Sequence, residues 1–396
     1  MSDQNEPIKI LAPPAAVERI SRQVSRRRFM GGAAGVAAVA GSGLLSACGE
    51  DSTSDTGAAP VGEVEDQLNM FTWGEYNAPK VIKSFETDND LKFTLDSYNS
   101  NEQLIAKLSA AKGTAGYDMI VPTGPFIPAL VENELIQELD LDRLTNFGNL
   151  EEQYKDQPWD PGNKYSICKD WGTTGYAYDS SKINTEMTTW QDFLDVAMNE
   201  ASGNVSILDS PDNVVGVYLW ANDINWMTTD EADLQATEDF LINEMAPHVK
   251  AFVSYPGGGD MQNGNFSLVM AWNGDARQGI LGSDDQDQWK WVLPGPRTEI
   301  WMDTYCIPAG APHPNAAYAW MDYLLLPEVS LQELEYIGYH TGVKDIQPLA
   351  EDAGIERLDI VFFNEEQVAT MESGELNEAQ DRRVEIYNKF KSAAGA

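Results

Sequence analysis

The sequence has few histidines and few cysteines, and it lacks several motifs that catalysis would require. Its 396 residues include three His and three Cys, and no His stands at the spacing of a zinc site. No nucleophile elbow, phosphate-binding loop or dinucleotide-binding fingerprint is present. The sequence therefore predicts no metal, no cofactor and no enzymatic activity.

Basic side chains are also scarce, with 26 Lys and Arg against 63 Asp and Glu and a net charge of -37 at pH 7. Such a field repels phosphate, so nucleic acid is not expected as a partner. It attracts cations, which favours small cationic ligands. The acidic excess is also typical of solvation in a saline habitat, and the sequence leaves both explanations open.

The first 47 residues predict an export signal rather than part of the fold. A twin-arginine pattern, Ser25-Arg26-Arg27-Arg28-Phe29-Met30, precedes a Gly- and Ala-rich stretch that is too short and too Gly-rich to span a membrane. Leu45-Ser46-Ala47-Cys48 resembles the lipobox of bacterial lipoproteins. That resemblance implies a lipid on Cys48, which would become the new N-terminus on the outer face of the cytoplasmic membrane. Residues 48–66 lack apolar periodicity and predict a flexible tether.

From Gln67 onward, short apolar runs alternate with helical patterns. In the first part we predict strands at 68–73, 91–98 and 118–121 and helices at 79–87 and 100–112. In the later part we predict strands at 204–208, 249–254 and 266–272 and helices at 213–221, 231–245, 316–326, 328–337 and 377–391. Strands that alternate with helices form mainly parallel sheets covered on both faces, and the length suits two domains. An α/β fold with two lobes is expected.

Five stretches resemble the spermidine/putrescine-binding proteins of bacterial ABC importers. They are FTWGEYNAP (71–79), YDMIVPT (117–123), MAWNGDA (270–276), IWMDTYCIPA (300–309) and YIGYHTG (336–342). The resemblance implies a type II periplasmic-binding-protein fold with a ligand cleft between two lobes, and an ABC permease as partner. It assigns residues 67–171 and 303–347 to lobe 1, and residues 172–302 and 348–396 to lobe 2.

The same resemblance assigns the ligand site. A polyamine carries ammonium groups on methylene stems, so its site needs carboxylates for the charges and aromatic faces for the stems. Asp303 matches the carboxylate that binds an ammonium group. The other expected ligand-binding residues match aromatic or polar positions of the family: Trp73, Tyr76, Thr123, Trp272, Trp301, Tyr339 and Asn377.

The chain departs from the family at two acidic positions of this site, which align with Pro211 and Val214. Asp209 or Asp212 could replace them only if the loop takes another path, and one aromatic position is displaced to Phe126. We expect a receptor for a polyamine, putrescine or spermidine, or for a related small cationic amine. The alternatives are a receptor for a mono-cationic compound such as a γ-amino acid, and a sensory binding protein.

Cys168 and Cys306 are the cysteines that follow Cys48. An exported chain meets an oxidising environment, where two cysteines can form a disulfide, and the resemblance implies that both lie close together in lobe 1. The alternative is that each is a small buried apolar side chain. The sequence leaves both open.

Overall fold

The computed structural model describes residues 62–111, 113–259 and 261–395. The predicted export signal, the predicted lipidation site at Cys48 and most of the predicted tether lie outside these ranges. Within them, no helix combines the length and the apolar composition needed to cross a membrane.

The described strands and helices alternate along most of the chain. The strands are β1 (Gln67–Trp73), β2 (Lys92–Tyr98), β3 (Met119–Ile120), β4 (Ile167–Asp179), β5 (Val205–Leu208), β6 (Val249–Val253), β7 (Leu268–Trp272), β8 (Trp289–Val292), β9 (Thr298–Tyr305) and β10 (Met371–Ser373). The α-helices are α1 (Pro79–Asn89), α2 (Asn101–Ala111), α3 (Ile127–Glu132), α4 (Trp190–Met198), α5 (Pro211–Ala221), α6 (Glu231–Phe240), α7 (Asn273–Leu281), α8 (Pro314–Leu324), α9 (Pro327–Ile337), α10 (Ile346–Asp352), α11 (Glu365–Val368) and α12 (Gln380–Ala393).

Two sheets organise these elements, as the predicted α/β class requires. The smaller sheet has the order β2-β1-β3 with parallel pairing. The larger sheet has the order β10-β9-β4-β7-β5-β6, and β8 also pairs with β4. One large apolar core surrounds Leu68, Phe85 and Trp320, and another surrounds Trp190 and Trp220. Each lobe therefore has its own core.

Strand β4 connects the two cores, and β9 runs beside it. All 13 residues of β4 are buried; its first half pairs with β9, and its second half pairs with β7 and β8. The C-terminal end of β9 and the residue that follows it reach the first lobe through backbone bridges from Asp303 to Thr123 and from Cys306 to Ile120. Side chains on these two strands consequently lie between the lobes.

The predicted strands and helices are present with small shifts at their ends, apart from two differences. The helix predicted at 231–245 is α-helical only to Phe240 and continues as a π-helical segment, Leu241–Met245. The last helix begins at Gln380 rather than at residue 377. The predictions did not include the strands β4, β8, β9 and β10 or the helices α3, α4, α7, α10 and α11. For β8, β10 and α11 the reason is length, because three or four residues carry too little periodicity to identify an element.

Candidate functional site

The candidate site lies on one face of the antiparallel pair formed by β4 and β9. Asp170 stands opposite Asp303, and Gly172 stands opposite Trp301. Successive side chains of a strand point to opposite faces, so the face that carries Asp303 and Trp301 also carries Glu299. We call this face the front face of the strand pair. It presents two carboxylates and an indole from a single strand.

Gly172 makes the position of the Trp301 ring attainable. A Cβ atom at residue 172 would lie 2.4 Å from Cζ2 of Trp301 and 2.4 Å from Oδ1 of Asn273. The Asn273 side chain in turn accepts a hydrogen bond from the backbone N–H of Thr173 at 2.9 Å and donates one to the carbonyl of Ile360 at 2.9 Å. The absence of a side chain at residue 172 thus lets the indole lie directly over β4.

Asp303 is a buried carboxylate, 5% exposed. Burial, followed by the neighbouring charge of Asp170, raises its pKa to about 7, and the hydroxyls of Thr123 and Tyr76 oppose that rise. Among the described residues, no cation forms a salt bridge with Asp303, although the ammonium of Lys169 also lowers its pKa from a greater distance. The carboxylate is therefore ready to accept a cation from outside the chain.

Asp170 is buried as well, but the chain supplies its partner. The Lys169 ammonium lies 2.5 Å from Oδ2 of Asp170 and 3.6 Å from the centroid of the Tyr76 ring. The Tyr76 hydroxyl donates a hydrogen bond to Oδ1 of the same carboxylate. Burial raises the pKa of Asp170, and the ammonium of Lys169 opposes this rise. An ammonium group is thus held by a carboxylate and an aromatic face within the fold.

Aromatic rings form the walls beside Asp303. The rings of Trp301 and Tyr339 meet edge to face with centroids 4.8 Å apart, and those of Tyr76 and Tyr339 are 6.0 Å apart. The Tyr339 hydroxyl donates to Oδ2 of Asp275 at 2.8 Å, which fixes the ring. A Cβ atom on Gly274 would lie 2.5 Å from that ring, so the glycine permits this approach.

The structure brings five of the predicted ligand-binding residues to this place through the contacts described above. They are Tyr76, Thr123, Trp301, Asp303 and Tyr339. Thr123 is held by Asn101, which donates to its hydroxyl and accepts from its backbone N–H, both at 3.0 Å.

The tryptophans Trp73 and Trp272 are positioned by different elements. Trp73 ends β1 and packs on Tyr98, with ring centroids 4.6 Å apart. Trp272 ends β7 opposite Thr174 of β4 and contacts the cores of both lobes. Both are partly buried. Their contact with a ligand stays a prediction.

Asn377 is engaged inside the second lobe. Its amide group donates to the carbonyl of Met227 at 2.8 Å and to Glu375 at 2.9 Å. Its side-chain oxygen accepts from the backbone N–H of Ala379 and from the guanidinium of Arg383. No contact among the described residues links it to Asp303, so its role in binding also stays a prediction.

Neither Asp209 nor Asp212 provides an unpaired acid near Pro211 and Val214. Val214 is 1% exposed and packs in the core of the second lobe. Asp212 is paired with Arg383 at 2.8 Å, and Asp209 with Lys391 at 2.6 Å. Both candidate substitutes are therefore engaged by helix α12.

Sequence reasoning missed three charged residues of this region, which are Lys169, Asp170 and Glu299. Their signal was present as an alternation of period two, Glu299-Trp301-Asp303 in β9 and Asp170-Gly172-Thr174 in β4. It was not recognised, because a Lys-Asp pair in sequence is ordinarily a solvated pair.

The disulfide considered for Cys168 and Cys306 is not formed, which corrects that hypothesis. Both cysteines are buried and free. Cys168 packs in the core around Leu68, whereas Cys306 packs with Ile120 in a separate cluster. The two thiols thus fill different cores, and burial raises the pKa of each.

Comparison with known proteins agrees with this geometry. The family model described as bacterial extracellular solute-binding protein matches residues 80–357. A putrescine/agmatine-binding protein of Pseudomonas aeruginosa is 29% identical over 80% of this chain and 89% of its own length. A spermidine/putrescine-binding periplasmic protein of Escherichia coli is 31% identical over 69% of this chain and 77% of its own length.

Solved structures show the same fold. A putative spermidine/putrescine ABC transporter protein of Listeria monocytogenes matches with a TM-score of 0.73 at 25% identity, over 84% of this chain and 99% of that one. A lipoprotein of Treponema pallidum matches with a TM-score of 0.70 at 22% identity, over 83% of this chain and 99% of that one. The two-lobe type II fold is therefore established. With the family model spanning more than half of its length, the chain belongs to the bacterial extracellular solute-binding proteins, a family of transport receptors and not of enzymes.

Proposed function

We propose that this chain is the receptor of an ABC importer and binds a polyamine, or a related small cationic amine, between its lobes. The observation that carries the proposal is the carboxylate of Asp303, which is buried between the lobes without a salt-bridge partner among the described residues. A buried charge is costly unless an opposite charge accompanies it. An ammonium group of the ligand supplies that charge.

The aromatic neighbours of Asp303 suit the remainder of such a ligand. Trp301, Tyr339 and Tyr76 present ring edges and faces to the methylene chain and to the ammonium. The names of the similar proteins from Pseudomonas aeruginosa and Escherichia coli refer to putrescine, agmatine and spermidine, which supports the same ligand class here.

Closure of the lobes is part of this proposal. We infer that residues 67–171 with 303–347 move as one lobe and residues 172–302 with 348–396 as the other. The support is that β4 runs from one core into the other. Its partner β9 packs in the first core and contacts the second lobe through the hydrogen bond of Glu299 with Asn213. Closure removes water from the bound amine, which strengthens its interaction with Asp303. The closed form then delivers the ligand to the permease.

Membrane attachment through a lipid on Cys48 completes the proposal. It rests on the lipobox resemblance and on the twin-arginine pattern before it, and a structural neighbour from Treponema pallidum is itself a lipoprotein. In cell fractionation, Cys48→Ala should move the mature chain from the membrane to the soluble fraction. Replacing Arg26 and Arg27 with Lys should block its export. A Cys48→Ala chain that stays with the membrane would contradict lipid anchoring.

A receptor for a mono-cationic γ-amino acid is the second candidate, because Pro211 and Val214 replace acidic positions of the family site. Thermal-shift and calorimetric titrations with putrescine, spermidine, agmatine and γ-aminobutyrate decide between the two. A ligand at 100 times its dissociation constant stabilises the fold by about 2.7 kcal/mol. We expect the polyamines to stabilise the chain. Stabilisation by γ-aminobutyrate alone would favour the second candidate, and no stabilisation by any amine would refute both.

A further inference from the structure

Glu299 is a second carboxylate on the front face of β9, and the proposed function does not yet use it. It lies four residues before Asp303 on the same strand, with Trp301 between them. At about 3.3 Å of rise per residue, the two Cα atoms are about 13 Å apart along the strand. The front face therefore carries an acid, an indole and another acid in a line.

The surroundings hold Glu299 in place through one of its two oxygens. Oε2 accepts a hydrogen bond from the hydroxyl of Thr174 at 2.6 Å and another from the amide of Asn213 at 2.5 Å. Thr174 belongs to the front face of β4, and Asn213 belongs to the first turn of α5. Two elements of the second lobe thus orient this carboxylate.

The other oxygen, Oε1, makes no hydrogen bond with the described residues, and no described cation forms a salt bridge with Glu299. Arg383 of α12, a helix that packs against α5, is already paired with Asp212. The side chain is only partly exposed, so solvent screens its charge incompletely. The geometry leaves a fixed carboxylate with one oxygen free.

The resemblance to the polyamine-binding family implies two acids near the start of α5, at the positions that Pro211 and Val214 occupy here. Pro211 and Val214 cannot bind an ammonium group, and the residue between them that faces the strands, Asn213, donates to Glu299 instead. The helix that loses the family carboxylates therefore orients one that comes from β9.

We propose that Glu299 binds the second cationic group of the ligand, so that the site selects linear dications whose charges span the distance from Asp303 to Glu299 past the ring of Trp301. This inference rests on the proposed function, since it requires a cationic amine at Asp303. It excludes γ-amino acids, whose carboxylate would face Glu299.

The test is calorimetry of Glu299→Gln with putrescine and with butylamine, a matched amine that lacks the second charge. Glutamine keeps an oxygen that can accept from Thr174 and Asn213, so the fold is expected to persist, which thermal unfolding of the free protein checks. Putrescine should bind at least about 30-fold more weakly to the variant than to the wild type, the range measured when one partner of a buried charge pair is truncated. Butylamine should bind both proteins equally. Glu378→Gln is the control, because Glu378 is exposed on the same lobe, and it should change neither affinity.

The outcomes separate this inference from the proposed function. If the wild type binds putrescine and Glu299→Gln binds it equally well, Glu299 is not an anchor, and the proposed function stands. If the wild type binds γ-aminobutyrate more tightly than putrescine, the selection of dications is refuted. If the wild type binds no amine, the proposed function fails, and the inference fails with it.

Discussion

Asp170 and Asp303 face each other across β4 and β9, yet their environments differ. Both are buried, at 0% and 5% exposed, and they are direct cross-strand partners. Asp170 has the ammonium of Lys169, which also lies over the ring of Tyr76. Asp303 has aromatic neighbours but no ammonium from the described residues. The chain itself supplies the cation for Asp170, whereas for Asp303 we propose that a ligand supplies it.

In the proposed function, this difference in partners is what makes Asp303, and not Asp170, the binding site for a cation. The buried Lys169-Asp170 pair places a carboxylate charge next to Asp303 and an ammonium charge farther from it. The net charge of the pair is close to zero. Its net effect on Asp303 is still repulsive, because the carboxylate of Asp170 raises the pKa of Asp303 more than Lys169 lowers it. A ligand ammonium relieves that repulsion as well as the cost of burial.

The largest expected effect comes from removing the ammonium group that pairs with Asp170. Lys169→Met leaves Asp170 buried without a cation, and removing one partner of a buried pair typically costs about 3 to 5 kcal/mol. Urea denaturation should show a loss of that order in the free energy of unfolding. Lys107→Met, at an exposed lysine, is the control and should change it little. An unchanged midpoint for Lys169→Met would mean that the pair contributes nothing to stability.

The next largest effect is expected at Asp303, the aspartate that has no salt-bridge partner among the described residues. Asp303→Asn removes the charge that the proposed amine requires, and loss of a buried charged contact costs about 2 to 5 kcal/mol of binding free energy. Calorimetry with putrescine should show at least about a 30-fold weaker affinity. The free variant should be at least as stable as the wild type, because the repulsion from Asp170 is gone. Unchanged affinity would remove Asp303 from the site.

A smaller effect is expected from Gly172→Ala, which disturbs the ring between the two acids. The new methyl group would lie 2.4 Å from the Trp301 ring, and overpacking of this kind typically costs about 1 to 3 kcal/mol. Both thermal stability and putrescine affinity should fall, and the tryptophan fluorescence should change. Gly148→Ala, where no atom lies within 4 Å of the new methyl group, should leave ligand binding intact. Equal affinity in Gly172→Ala would show that the ring position is not needed.

The smallest effect is a pH dependence of binding. The pKa of Asp303 is raised to about 7 in the free protein, above the ordinary value of about 3.9. Between those values the unfolded chain has lost this proton while the folded chain keeps it, so this group makes the fold less stable as the pH rises towards 7. An ammonium ligand requires the ionised form, so its affinity should rise with pH and level off above about 7.

Calorimetry of putrescine binding at pH 6, in two buffers of different ionisation enthalpy, should show proton release. That release should shrink in Asp303→Asn. Affinity that falls between pH 6 and pH 8 while putrescine stays a dication would contradict the assigned direction.

Much of the fold and part of the site followed from the sequence. The aromatic-rich stretches that resemble the family predicted that Tyr76, Trp301 and Tyr339 belong to one site. In the structure, the Tyr339 ring lies beside each of the other two rings. The strands of the first lobe follow from alternating apolar residues, and β1 and β2 lie where that alternation predicts them.

The remainder depends on tertiary context. Lys169 and Asp170 become buried only because β4 passes between two cores, which no local pattern reveals. Glu299 gains its role from Asn213, a residue 86 positions away along the chain. Likewise, Cys168 and Cys306 pack in different apolar clusters, which their positions in the sequence do not reveal.

That β9 alone carries both Asp303 and Glu299 has a consequence for the timing of selection. The two residues belong to different proposed lobes, but they are only four positions apart on one continuous strand. A rotation of the lobes about this strand therefore changes the distance between their Cα atoms little. When the charged groups of a site lie on separate elements of two lobes, the distance between them is set only after closure. Here the ligand can contact both carboxylates of β9 while the lobes are still open. A diamine of the wrong length should therefore dissociate from the open form before the lobes have begun to close.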